Sequence, residues 1–301
     1  MTLEADLLLD RRRLKRRLTL WRVLAVLAGL AAIWVALPEG SRTMLEGDYV
    51  ARLEIRGTIR EDRRMVETIE RAATNGHLRA VLVAIDSPGG TVAGGEAIHA
   101  ALTHLAASKP VVAIMGGTAA SAGYMVALPA ARIFAREGTL TGSIGVILQS
   151  FEASELLTRL GVHSQSIASG PLKDQPSPFR PLTEEGRASL TQVVEDMQAN
   201  FVRMVAAGRN MSEEAVRAIA DGRVMAGGRA REAGLVDAMG GEREARAWLA
   251  EARAVPTSLP IRTLETRPRL ERLLAAGTES LARAFFTEWL GRGGLFAQIA
   301  R

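Results

Sequence analysis

The chain contains no cysteine, and only three of its 38 basic residues are lysine. The first absence excludes disulfides, thiolate catalysis and cysteine-ligated zinc or iron–sulfur centres. The second matters for acid–base chemistry. Arginine stays protonated in proteins, whereas a lysine, ordinarily titrating near about 10.4, becomes a usable base once burial lowers its pKa. Aromatic residues are also scarce, with two Tyr, seven Phe and four Trp, so base-stacking platforms for nucleic acid are lacking. The four histidines, His77, His99, His104 and His163, show no His-x-x-x-His or other metal-ligand spacing. No GxxxxGK occurs and no GxGxxG follows a strand-like run, which removes the phosphate-loop and dinucleotide readings. Neither a metal nor another cofactor is expected.

The net charge of +5 is concentrated at the start of the chain. Residues 1–22 hold seven basic residues against three acidic ones, so the body is nearly neutral and no nucleic-acid partner is implied. The basic run RRRLKRR is followed by residues 18–37, LTLWRVLAVLAGLAAIWVAL, where Arg22 is the only charge. Twenty helical residues span about 30 Å, the thickness of a bilayer core. Trp21 and Trp34 sit toward its two ends, as interfacial rings do. The sequence therefore predicts a cytoplasmic flank at 1–17 and a single transmembrane anchor at 18–37, with everything after Leu37 on the outer side of a cytoplasmic membrane. A cleaved signal peptide is the competing reading, because the strictly uncharged stretch Val23–Leu37 is only fifteen residues long.

From Tyr49 onward short apolar runs alternate with helical periodicity, the signature of βαβ units and a parallel sheet. Strands are expected at 49–55, 80–85, 111–116, 131–135 and 143–149 and near 163–167. Helices are expected at 62–75, 92–107, 121–128, 151–160, 183–208, 212–220 and 242–252. Thr183 and Ser212 are read as N-caps, each followed by acids. Residues 254–301 are set apart as a helical tail with an apolar stripe that includes Leu270, Leu273, Leu274 and Phe285.

Two glycine-rich turns emerge where strands end. DSPGGTVAGG (86–95) offers bare backbone N–H groups at Gly89 and Gly90 ahead of a helix, and GGTAASAGYM (116–125) presents the Ser121 hydroxyl at the start of another. The carboxyl ends of parallel strands are where such sheets bind ligands, and unpaired helix-start N–H groups favour an oxyanion. Either turn taken alone could equally be a tight corner. A serine nucleophile needs a base. Among histidines only His163 is not dismissed; among lysines, Lys15 belongs to the basic flank and Lys109 precedes Pro110, which leaves Lys173 in SGPLKDQPSP. Asp174 would raise the basicity of a neighbouring amine, so it is expected to point away. Asp86 is read as a cap for the turn around Ser87, Tyr124 as packing, and Glu96 as a solvated first-turn acid.

The ordered set DSPGGTV, GGTAASAGYM, GTLTGSIGVI, SGPLKDQPSPFRPLT and GRVMAGGRAREAGLVD resembles the bacterial signal peptide peptidase A family in its short, single-domain form. The resemblance covers about residues 50–250. It implies an α/β, ClpP/crotonase-like fold of repeated ββα/βαβ units, here a protease domain at 46–253 preceded by the transmembrane helix. It implies a membrane-anchored serine endopeptidase that degrades remnant signal peptides. Ser121 is then the nucleophile, Lys173 the general base, Ser143 the hydroxyl that orients the lysine amine, and Gly89 or Gly90 the oxyanion hole. A homo-oligomeric ring is implied as well, with the dyad formed either within one chain or between neighbouring subunits. Two other functions compete: a crotonase-type acyl-CoA enzyme, against which the anchor argues, and a catalytically silent membrane scaffold, against which the intact serines and lysine argue.

Overall fold

The structure is a computed structural model that describes residues 17–27, 29 and 47–265. The chain divides into two compact units, one ending at Asp48 and one beginning at Tyr49. In the first, residues 17–27 are helical; the rest of the expected anchor, residue 29 apart, lies outside the described residues, as does the tail from 266 on. No helix among the described residues is long and apolar enough to cross a membrane.

The second unit is built on successive βαβ crossovers. β1 (Tyr49–Arg56), α1 (Arg63–Ala73), β2 (Leu78–Ser87), α2 (Val92–Ala106) and β3 (Val111–Ala120) follow one another in sequence. Their strands lie side by side and parallel, with Leu53 opposite Val83 and Val83 opposite Ala113. Val81–Ile85 of β2 and Val111–Met115 of β3 are continuous apolar runs because both faces of the sheet are covered there. Ala51, Leu53, Val81, Val83, Ala113 and Met115 face a large core with residues of α1 and α2. Val50, Ala80, Leu82, Val112 and Ile114 face a second core closed by Ala245 and Leu249, which belong to α8 (Glu242–Arg253). The period of two sorts one strand into two cores, each fully buried Leu or Val contributing about 1.5–3 kcal/mol.

Beyond Ala120 the chain forms α3 (Ala122–Met125), β4 (Arg132–Ala135), β5 (Leu140–Gly142) and α4 (Ser154–Arg159). It continues through α5 (Glu184–Arg209), α6 (Glu213–Arg217), β6 (Val224–Ala226), α7 (Gly227–Glu232) and β7 (Ala238–Met239) before α8, and ends the described body with β8 (Ile261–Thr263). β3 splits its outer edge between two partners: Val112–Ile114 pair with β4, and Thr118–Ala120 pair with β5. β5 in turn pairs antiparallel with β6. The split follows from an irregularity at Gly116–Thr118, where the register against β2 jumps from Met115 to Ala119. Asp86 fills that irregularity, its carboxylate accepting the Thr118 N–H at 3.1 Å.

The expected helix starts are found. Thr183 accepts the N–H of Gly186 and Ser212 that of Ala215. Tyr124 packs as expected and is fully buried, its hydroxyl donating to Leu235 O at 3.0 Å. Burial in apolar surroundings pushes that phenol's pKa up.

Other expectations are corrected. Residues 143–149 do not form a strand, because Gly142 and Ser143 both have positive φ and no neighbouring strand lies beyond them; Ile147 is 86% exposed. Residues 163–167 are likewise irregular, with Ile167 in solvent. Asp86 bridges to β3 instead of capping its own turn. Glu96 is half-buried and accepts a hydrogen bond from Asn200 on α5. β8 lies inside the segment assigned to a helical tail; it pairs parallel with β1, Val50 opposite Ile261, and so extends the sheet past residue 253.

Candidate active site

Ser121 stands between β3 and α3 in a conformation that side chains rarely adopt, with φ 54° and ψ −123°. Such backbone costs on the order of 1–3 kcal/mol and persists only where surrounding bonds enforce it. Those bonds are present on both sides. The Ser121 N–H donates to Gly142 O at 2.9 Å, and its carbonyl accepts the N–H groups of Tyr124 and Met125. Thr141, fully buried on β5, donates its hydroxyl to Ala119 O at 2.7 Å and fixes the last turn of β3.

Ser143 is the second serine with positive φ, at 50°. Its N–H donates to Arg223 O at 2.8 Å, and the adjoining Gly142 carries the carbonyl that holds Ser121. One end of β5 therefore positions both serines. Ser121, Ser143, Gly90 and Pro88 line a common cleft of about 980 Å³, whose far wall comes from α5 through Val194, Gln198 and Ala199. Asp221 and Arg217 lie on its rim. Arg223 hydrogen-bonds the Asp221 carboxylate and holds its pKa down to about 2.

The SPGG turn abuts the nucleophile. A Cβ at Gly89, whose φ is 116°, would lie 2.8 Å from Ser121 Cβ. A Cβ at Gly90 would run into the carbonyl of Ile59, so both positions demand glycine. The Gly89 N–H is occupied, donating to Ser87 Oγ at 3.1 Å. Ile59 N donates to Gly89 O and Ile59 O accepts from Thr91 N, which turns the Gly90 N–H the other way, on the cleft side where Gly90 is exposed. The Ala122 N–H, first in α3, has no acceptor within its own helix.

Lys173 is not brought to this cleft within the chain. It is exposed, its N–H donating to Gly170 O at 3.2 Å. Asp174 is ion-paired with Arg180. His163 is exposed, and no histidine lines the cleft. Sequence reasoning passed over Ser87 and Ala122. The first had a legible signal, a serine two residues before a glycine in a Pro-containing turn; the second is visible only once the helix start is placed.

With the geometry in view, the family model for Peptidase family S49 matches residues 103–256, a span that contains Ser121, Ser143 and Lys173. The chain belongs to peptidase family S49. Protein slr0021 of Synechocystis sp. is 39% identical over 234 residues, 77% of this chain and 84% of that one. Protease 4 of Salmonella typhi is 38% identical over 177 residues, 58% of this chain but 28% of the longer relative. The chloroplastic serine protease SPPA of Arabidopsis thaliana is 29% identical over 206 residues, 68% of this chain and 30% of that one. As a member of family S49, of the SppA and Protease 4 kind, the chain is a serine-type peptidase. A second model, Clp protease, matches residues 58–140, in keeping with a ClpP-like α/β fold. A mutant of the 1510-N membrane-bound stomatin-specific protease aligns with a TM-score of 0.48 at 18% identity, over 73% of this chain and 98% of that one.

Proposed function

We propose that this S49 peptidase is a membrane-anchored endopeptidase that uses a Ser121–Lys173 dyad to degrade signal-peptide remnants. The observation that carries the reading is the strained placement of Ser121, facing the exposed Gly90 turn and Ser143 across one cleft. A neutral Lys173 amine takes the Ser121 hydroxyl proton as Oγ attacks the peptide carbonyl carbon. The Gly90 N–H, joined by that of Ala122, holds the resulting oxyanion; Gly89 contributes the turn and not the donor. The lysine ammonium then protonates the leaving nitrogen as the C–N bond breaks, which leaves an acyl-Ser121 ester. Water attacks the ester, its proton passing to the amine; the ammonium returns that proton to Ser121 Oγ as the acyl C–O bond breaks, and the carboxylic acid departs. Ser143 orients the amine throughout.

The exposed position of Lys173 supports completion of the dyad by a neighbouring copy in a ring. The arm that carries it presents Phe151, Leu156, Leu160 and Ile167 to solvent, and covering such a stripe against another subunit removes water from the amine, which favours its neutral form. The apolar stretch at 18–37 supports the anchor, with the N-terminus cytoplasmic and the catalytic unit outside. Hydrolysis of signal-like peptides by the full chain in detergent, compared with the Ser121→Ala protein, tests the activity. A reporter fused after Arg301 tests topology: activity of that reporter only in the cytoplasm overturns the orientation.

A further inference from the structure

Among the described residues few polar side chains are fully buried, and Ser87 is one of them, with no exposed surface. It ends β2 immediately before the Pro88–Gly89–Gly90 turn. Its hydroxyl meets both polar groups of one residue, accepting the Gly89 N–H at 3.1 Å and donating to Gly89 O at 3.3 Å. Gly89 is thereby held at φ 116°, the value that turns the following peptide toward the cleft. The same residue touches the nucleophile's side of the site. Ser87 pairs with Ala119 across β2 and β3, and a Cβ added at Gly123 of α3 would lie 2.8 Å from Ser87 O.

We infer that Ser87 is a positioning residue that sets the oxyanion hole. It withdraws the Gly89 N–H from the cleft, locks the turn so that the Gly90 N–H is the donor presented, and fixes the spacing of that donor from Ser121 through its contact with α3. This inference rests on the reading of Ser121 as nucleophile and Gly90 as oxyanion donor. Its chemical logic is that of preorganisation: a donor aimed before the reaction need not be reoriented during it. Without the Ser87 hydroxyl, Gly89 keeps the Ile59 N–H on its carbonyl but loses the bond that fixes its own N–H, which is then released to compete for the same space.

The test compares Ser87→Ala and Ser87→Cys with wild type and Ser121→Ala in the full-length protein, with a signal-like peptide as substrate and a peptide aldehyde as a probe of tetrahedral-adduct binding. A displaced oxyanion donor acts on the transition state, so kcat falls by about 10- to 100-fold while KM moves less than about twofold. Aldehyde affinity falls in parallel with kcat/KM, a signature that general loosening of the fold does not give. Cysteine is somewhat larger and a weaker hydrogen-bonding group, and it falls between the two; it decides the matter if the alanine protein does not fold. Wild-type kcat and aldehyde affinity in the folded variants overturn the role of Ser87 while leaving the nucleophile intact. Retained hydrolysis in Ser121→Ala overturns the underlying reading instead.

Discussion

Ser121 and Gly142 are joined by a 2.9 Å hydrogen bond from the serine N–H to the glycine carbonyl, and Ser143 is the next residue along. The bond runs between the segment that presents the nucleophile and the segment that presents its neighbouring hydroxyl. It makes the relative position of the two serines a property of the β3–β5 ladder, independent of their side chains. Each serine is left with positive φ, a local strain that the ladder offsets.

The first prediction concerns the nucleophile. Ser121→Ala removes the attacking oxygen without disturbing any bond made by its backbone, so the fold and melting temperature stay near wild type. Peptide hydrolysis falls by at least about 10³-fold. A fluorophosphonate probe followed by peptide mapping marks Ser121 in the wild type and nothing in the variant; a label on Ser143 transfers the nucleophile to the other strained serine.

Lys173 gives the second prediction, because it is exposed and absent from the cleft of its own chain. Lys173→Ala and Lys173→Arg both abolish hydrolysis, since arginine supplies no neutral amine. If neighbouring copies complete the dyad, Ser121→Ala and Lys173→Ala proteins, each inactive alone, recover activity when mixed and allowed to exchange subunits. Mixed assemblies that stay inactive despite demonstrated exchange place the dyad within one chain, and full activity in Lys173→Arg removes lysine as the base.

Third, Gly90→Ala loses activity through geometry and not through chemistry. The added Cβ meets the Ile59 carbonyl, and backbone is not a neighbour that yields cheaply. The Ile59–Gly90 bridge opens, the turn moves, and the Gly90 N–H leaves the cleft. Loss of one oxyanion donor costs about 3–4 kcal/mol of transition-state stabilisation, so kcat should fall at least about 100-fold with a lowered melting temperature. A Gly90→Ala protein with wild-type kcat shows that another N–H binds the oxyanion.

The sequence conveyed the βαβ frame well because β1, β2 and β3 carry apolar residues on both faces and α1, α2 and α5 begin at side-chain caps, signals that are local. It also brought Ser121 and Gly90 forward through glycine-rich turns, and Ser143 through the family resemblance. It misread SIGVILQ, since an apolar run looks the same whether a partner strand exists or not, and Ile147 has none here. β8 was missed for the converse reason: three residues become a strand only by lying beside β1. The bond within the turn, expected of Asp86, is made by Ser87. Both can bond a turn, and only the break at Gly116–Thr118, a tertiary feature, draws the aspartate across to β3. The position of Lys173 relative to Ser121 was not legible, because the long segment that separates it from Ser143 has few periodic signals.

The last prediction uses acid. Glu244, in the first turn of α8, accepts the Gly241 N–H at 2.8 Å. That backbone bond, helped by Arg243, lowers its carboxyl from the ordinary 4.5 to about 2. A carboxylate whose folded pKa is depressed stabilises the fold above its unfolded pKa and loses that contribution as pH falls through the folded value. The cap should therefore act fully near neutrality and fade between about pH 4.5 and pH 2. Glu244→Gln retains the shape with a weaker, uncharged acceptor, so it melts below wild type at pH 7, and the gap closes as the pH approaches 2. Denaturation midpoints of the two proteins across that range decide the point: a gap that does not change with pH shows that the carboxylate's charge contributes nothing to capping α8.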